Sequence, residues 1–152
     1  MAHAETVDAL GPRFWLNAEI VKRGGARVRV YPDTSAANAP LFDLERDARE
    51  NSVGMWSTRE YRIPHATDLP DTFDGFQLIY GNVADMQGSD GFGAVCDLSL
   101  EGSHLRLQIQ VPAAGHCQSA LGANVLARGY VRDRVMEISD KLNLQIMSAP
   151  PD

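Results

Sequence analysis

The chain has 152 residues, 44% of them hydrophobic and 22% charged, and carries a net charge of −6 at pH 7. That apolar content is enough to bury the core of one or two small domains, and no apolar run reaches the length of a membrane span. The acidic excess is spread over both halves and argues against an unspecific phosphate clamp built from many Lys and Arg contacts, while leaving room for local basic patches.

The first residues, Met1 to Glu5, offer neither a basic start nor an apolar core, so no signal peptide is read there. As written, the chain is expected in the cytoplasm, or exported if an address has been lost from its start. A short helix is predicted over residues 18–23, with Asn17 as its cap, Ile20 and Val21 on its inner face, and Gly24 and Gly25 as a left-handed stop. Residues 26–31 then alternate with period two, as a half-buried strand does, with Val28 and Val30 facing one way and Arg27 and Arg29 the other. After a turn-rich stretch a second helix opens at Pro40, capped by Asn38, with Leu41, Leu44 and Ala48 on one stripe. Glu45 and Arg49 form an i,i+4 pair in the favourable order, worth about 0.3–0.5 kcal/mol. Gly54 ends this helix, and Trp56 drops back onto the core.

Residues 58–75 mix extended and turn signals and read as an ordered linker, tacked down by Tyr61 and Ile63. Strands follow. The first spans 76–86 with a bend at Gly81; the second spans 92–98; the third spans 104–111 and puts Leu105, Leu107, Ile109 and Val111 toward the core. Residues 112–121 are irregular or briefly helical, and two closing strands occupy 124–131 and 135–146. Five strands with a short connector between the third and fourth suit an OB barrel.

Asn17, Val21, Gly24, Ala26, Leu41, Glu45, Ala48, Gly54 and Trp56 stand in the order and spacing of a short helix, a Gly-x-Ala strand, a long helix and a Gly-x-Trp anchor. This block resembles the C-terminal part of the staphylococcal-type thermonuclease domain. The resemblance implies a five-stranded OB barrel that hydrolyses DNA and RNA with calcium, through an Asp-Gly-Asp-Thr strand, an Arg-Leu-x-x-x-Asp-x-Pro-Glu segment and a Tyr-Gly-Arg segment. None of the three occurs in this sequence, so no catalytic residue is carried over and the resemblance covers scaffold only. Val125 to Val131, followed by Val135, Met136, Glu137 and Ile138, also resembles the OB-like barrel that follows the nuclease domain in some bacterial relatives. The expected architecture is therefore α+β and mainly β: a partial thermonuclease-like segment (helix, strand, helix) over 1–57, a linker over 58–75 and a five-stranded OB-like β-barrel over 76–152.

OB barrels bind single strands with aromatic platforms and basic residues. The candidates in the barrel are Tyr80, Phe92, Tyr130, Arg106, Arg128, Arg132 and Arg134. Tyr31, Arg27 and Arg29 join them because the corresponding region borders the ligand in the resembled family. The competing reading is barrel packing for the aromatics and a solvated edge for the arginines. His3, His65, His104, His116, Cys96 and Cys117 lack metal-site spacing; His116 and Cys117 are adjacent, but no metal is expected. The two cysteines are open between ordinary thiols and a disulfide, which would imply an oxidising compartment.

These observations lead to a non-catalytic thermonuclease relative whose barrel binds nucleic acid, with binding that weakens steeply with salt. No cofactor is expected; calcium enters only if a catalytic half is supplied elsewhere. The alternatives are the C-terminal piece of a calcium-dependent nuclease whose other half is encoded upstream, and an interaction module, including a homodimer formed by strand exchange.

Overall fold

The computed structural model describes residues 5–6, 14–30, 38–70, 72–89 and 93–148. The chain divides into two compact units, Met1–Arg62 and Ile63–Pro151, with the division inside the 58–75 segment.

In the first unit, β1 (Glu5–Thr6) pairs antiparallel with β2 (Phe14–Trp15), which runs straight into α1 (Leu16–Lys22). The helix starts two residues before the expected position. Trp15 is its N-cap, with no side-chain capping bond, so Asn17 lies inside the first turn and is not the cap. The stop falls where glycine allows it, with Gly24 at φ +63° and the Gly25 amide donating to the Ile20 carbonyl at 2.9 Å. Val21 is buried, but Ile20 is 42% exposed, so the inner face of this helix is narrower than periodicity suggested.

Residues 26–30 keep the alternation of a strand, with Val28 and Val30 buried, yet they pair with no strand among the described residues. One tie is to a side chain. The Val28 amide donates to the Glu45 carboxylate at 2.6 Å, across to α2 (Asn38–Glu50). Helix α2 begins at Asn38, two residues ahead of Pro40, and buries Leu41, Phe42, Glu45, Ala48 and Arg49. The Glu45–Arg49 pair is thus not a surface pair: the side chains are 0% and 8% exposed, with 3.9 Å between charged atoms. The helix ends at Glu50, ahead of Gly54, which instead opens a 3-10 turn (Gly54–Ser57) that carries Trp56 inward.

The second unit is a barrel. Its strands are β3 (Gly75–Gly88), β4 (Ala94–Leu100), β5 (Arg106–Gln110), β6 (Asn124–Arg132), β7 (Val135–Ile138) and β8 (Leu144–Met147), with the short helix α3 (His116–Ser119) between β5 and β6. The ring runs β3-β4-β5-β7-β6 and closes from β6 back to β3, while β8 adds to β6. Closure is possible because β3 is long: residues 75–82 pair with β6, and residues 83–88 pair with β4 after a register shift at 83/85. The bend therefore sits past Gly81. Pair β5–β7 is parallel and the others are antiparallel. Ile79, Val83, Leu98, Leu107, Ile109, Met136 and Ile138 fill the core at 0% exposure. Leu105 joins them, but Val111 is 65% exposed, because the strand stops at Gln110 and the 3-10 turn Val111–Ala113 reverses the alternation, burying Ala113 instead. No helix among the described residues is long and apolar enough to cross a membrane.

Cys96 on β4 and Cys117 on α3 form a disulfide with Cα atoms 6.1 Å apart and a sequence separation of 21. It fixes the α3 connector to the barrel wall. For a loop of this length the chain-entropy estimate is about 3 kcal/mol. Adding a reductant is expected to lower the barrel's unfolding free energy by that amount in urea titrations followed by far-UV circular dichroism; an unchanged midpoint would show that the bond does not constrain the unfolded chain.

Candidate nucleic-acid interface

The strands of the barrel alternate, so the residues between core positions point outward. On β4 these are Val95, Asp97 and Ser99, on β5 Arg106, Gln108 and Gln110, on β7 Val135 and Glu137, and on the end of β6 Tyr130 and Arg132. Tyr130 is 49% exposed. Its ring meets Phe76, its register partner on β3, edge to face at 5.9 Å and 60°, so the half-exposed side chain is braced by a second aromatic. Around it lies a hollow of about 710 Å³ lined by Gln108, Tyr130, Arg132, Val135 and Glu137, with Asp74 and Asp133 at the edge. Arg106, next on the same face, has Nη1 3.3 Å from the Asp97 carboxylate. Gln108 sits opposite Glu137 in register and donates to the Ser89 hydroxyl at 3.5 Å.

The predicted residues do not form one surface. Tyr130, Arg132 and Arg106 come together, whereas Tyr80 pairs with Leu126, four rungs along β3 from the Phe76–Tyr130 rung, or about 13 Å at 3.3 Å per residue. Tyr80 packs its edge against His65 at 4.8 Å instead. Arg128 is 1% exposed and stands opposite the buried Leu78. Arg128 is therefore enclosed, and its guanidinium is not presented at the surface. In the first unit, the Arg27 guanidinium lies over the rings of Trp56 at 5.5 Å and Tyr61 at 5.3 Å, with Nη2 donating to the Tyr61 carbonyl at 3.5 Å. These are internal cation–π contacts. Arg29 is half-buried. Tyr31 and Phe92 lie outside the described residues.

Sequence reasoning missed Phe76, Gln108 and Glu137, whose relevance depends on register across strands. The adjacent His116 and Cys117 are both engaged: the cysteine is in the disulfide and the His116 Nε2 is 2.8 Å from the Lys141 carbonyl. Among the described residues, no three His, Cys, Asp or Glu side chains gather as a metal cage.

The ring order, with parallel third and fifth strands and a helix between the third and fourth, is that of an OB-like barrel. The helical block before it has its own affiliation. Residues 11–58 match the staphylococcal nuclease homologue family. Among curated proteins none matches the chain. The nuclease-homologue segment contains Gly24, Glu45, Gly54 and Trp56, and in each of them the structure finds a packing or backbone role. Residues 11–58 are thus similar to the nuclease homologues and the barrel is an OB-type module, and the surface just described lies wholly in the barrel.

Proposed function

We propose that this chain is a non-catalytic relative of the thermonucleases whose barrel binds single-stranded nucleic acid chiefly through bases. The observation that carries the reading is Tyr130, exposed, backed by Phe76 and set in an open hollow beside Arg132 and Gln108. A tyrosine held this way stacks any base, and stacking contributes about 1–3 kcal/mol per base. The Gln108 amide both donates and accepts, and the Glu137 carboxylate accepts from an exocyclic amine. Carboxylates in the lining oppose phosphates, so affinity rests on bases more than on backbone charge. The three nuclease motifs absent from the sequence support the non-catalytic part. The disulfide supports an oxidising compartment in preference to the cytoplasm.

A fluorescent single-stranded oligonucleotide titration tests this. Tyr130→Ala is expected to weaken binding by about 5- to 150-fold, which corresponds to the stacking energy. With Arg106 and Arg132 as the phosphate contacts, log K should fall against log salt with a slope of about −1 to −2, shallower than the steep dependence expected from the sequence. A slope beyond about −4 would mean that another, strongly basic surface does the binding. In parallel, the purified chain is expected to give no calcium-stimulated cleavage relative to a chelator control; metal-dependent cleavage lost on one carboxylate substitution would establish an enzyme. The three carboxylates at the hollow, Asp74, Asp133 and Glu137, favour a second reading, a cationic protein partner, which complete absence of oligonucleotide binding at low salt would bring forward.

A further inference from the structure

The hollow beside Tyr130 has an order that only the strand registers reveal. Gln108 on β5 and Glu137 on β7 are partners in the parallel ladder. The β6–β7 ladder sets Arg132 opposite Val135 and Val131 opposite Met136, and one rung further on it brings Tyr130 beside Glu137. Phe76 follows Tyr130 in the β3–β6 ladder. A row across β5, β7, β6 and β3 thus reads glutamine, glutamate, tyrosine, phenylalanine, and its first three members line the hollow.

The two polar members of this row offer opposite chemistry. Gln108 is set as a donor, because its Oε1 accepts from Gln110 Nε2 and its Nε2 donates to the Ser89 hydroxyl, each at 3.5 Å. An amide nitrogen carries two hydrogens, so one is left over. Glu137 is exposed, and among the described residues its carboxylate has no ion-pair or hydrogen-bond partner. An ionised carboxylate only accepts. Neighbouring strands lie about 4.8 Å apart, so the donor and the two acceptor oxygens reach the edge of a single base together.

One base matches that order of groups. Along its pairing edge guanine presents the O6 acceptor, then the N1–H donor, then the N2 amine, so two adjacent donors meet the carboxylate while O6 meets the amide hydrogen. Thymine and uracil flank a single N–H with two carbonyl oxygens, which a carboxylate repels. Cytosine and adenine each offer one amine beside a ring nitrogen that accepts. Bidentate bonds to a carboxylate are charge-assisted and roughly twice as strong as neutral ones.

We propose that the barrel selects guanine, with the base stacked on the half-exposed Tyr130, its N1–H and N2 amine on Glu137 and its O6 on the Gln108 amide. The inference rests on single-strand binding by this hollow and adds the residues that set the preference.

The test uses the full chain and fluorescent oligothymidylates that carry thymine, guanine, hypoxanthine, adenine or cytosine at one central position. The guanine probe is expected to bind about 5- to 150-fold more tightly than the all-thymine probe, the discrimination a good bidentate pair provides. Hypoxanthine keeps O6 and N1–H but lacks the N2 amine, and is expected to lose at least about fivefold relative to guanine. Glu137→Gln and Gln108→Met are each expected to lower the guanine-to-thymine ratio, the former by at least about fivefold, while Tyr130→Ala weakens every probe. Displacement of the guanine probe by guanosine 5′-monophosphate only at large excess supports a strand as the source of the base; displacement at equal concentration supports guanine recognition and moves its source to a free nucleotide. Equal binding of all five probes, lost in Tyr130→Ala, would overturn the selection of guanine and leave single-strand binding standing. Binding of none would overturn both. The proposal also falls if adenine or cytosine binds tightest, if hypoxanthine binds as guanine does, or if either variant keeps the parent ratio.

Discussion

Replacing Glu45 with alanine is expected to destabilise the first unit by about 3–5 kcal/mol, the range for removing one partner of a buried ion pair. The carboxylate is fully enclosed, with Oε2 on the Val28 amide at 2.6 Å and Oε1 3.9 Å from Arg49 Nη1. Alanine would strand the Val28 amide in the interior and leave the Arg49 guanidinium, 8% exposed, without its neighbouring charge. Since small domains are stable by only about 5–15 kcal/mol in total, this one change takes a large share. Glu45→Gln separates the two roles. Its side-chain oxygen still accepts from Val28, so the expected loss is smaller, about 1–3 kcal/mol for the charge alone. Both tryptophans, Trp15 and Trp56, belong to the first unit, so urea unfolding followed by their fluorescence reads that unit without interference from the barrel. An alanine variant within about 1 kcal/mol of the parent would mean that the carboxylate is not the tie between residues 26–30 and α2.

That tie also marks where the sequence stops being readable. Helical spacing already puts Glu45 on the stripe between Leu41 and Ala48, but a carboxylate there reads as a surface partner for Arg49. Its burial is explained by the Val28 amide, which periodicity cannot display. The same bond joins residues 26–30, which alternate like a strand but pair with none among the described residues, to α2. In the barrel, alternation over β5 was legible because one face of the strand covers the core. Val111 escaped that logic, since the strand ends at Gln110 and a 3-10 turn with Pro112 interrupts the alternation there. Arg128 escaped it for another reason: its burial opposite Leu78 depends on packing that the residues of β6 do not display by themselves. Tyr130 could be picked out as an aromatic on an outward position. Its bracing by Phe76, 54 positions earlier in the chain, could not, because only the β3–β6 register brings the two together.

The second large effect is expected from a backbone contact that involves almost no side chain. Gly24 and Gly54, both at φ near +60°, meet where the end of α1 passes the turn after α2, and the Gly24 carbonyl accepts from the Met55 amide at 3.0 Å. A Cβ on Gly24 would run into the Val53 carbonyl, and one on Gly54 into the carbonyls of Arg23 and Gly24. Neither obstacle is a flexible side chain that could swing away. Alanine at either position therefore faces the left-handed penalty of about 1–2 kcal/mol and a backbone displacement of about 1–3 kcal/mol, together about 2–5 kcal/mol. The displacement also pulls on the turn that seats Trp56, which is 8% exposed. A red-shifted tryptophan emission in Gly54→Ala, at denaturant concentrations where the parent is still native, is the expected signature. Because both glycines hold one contact, the double variant should lose less than the two single losses added together. Strict additivity would show that the two positions act independently and that the close approach of the two turns does not set the geometry of this unit.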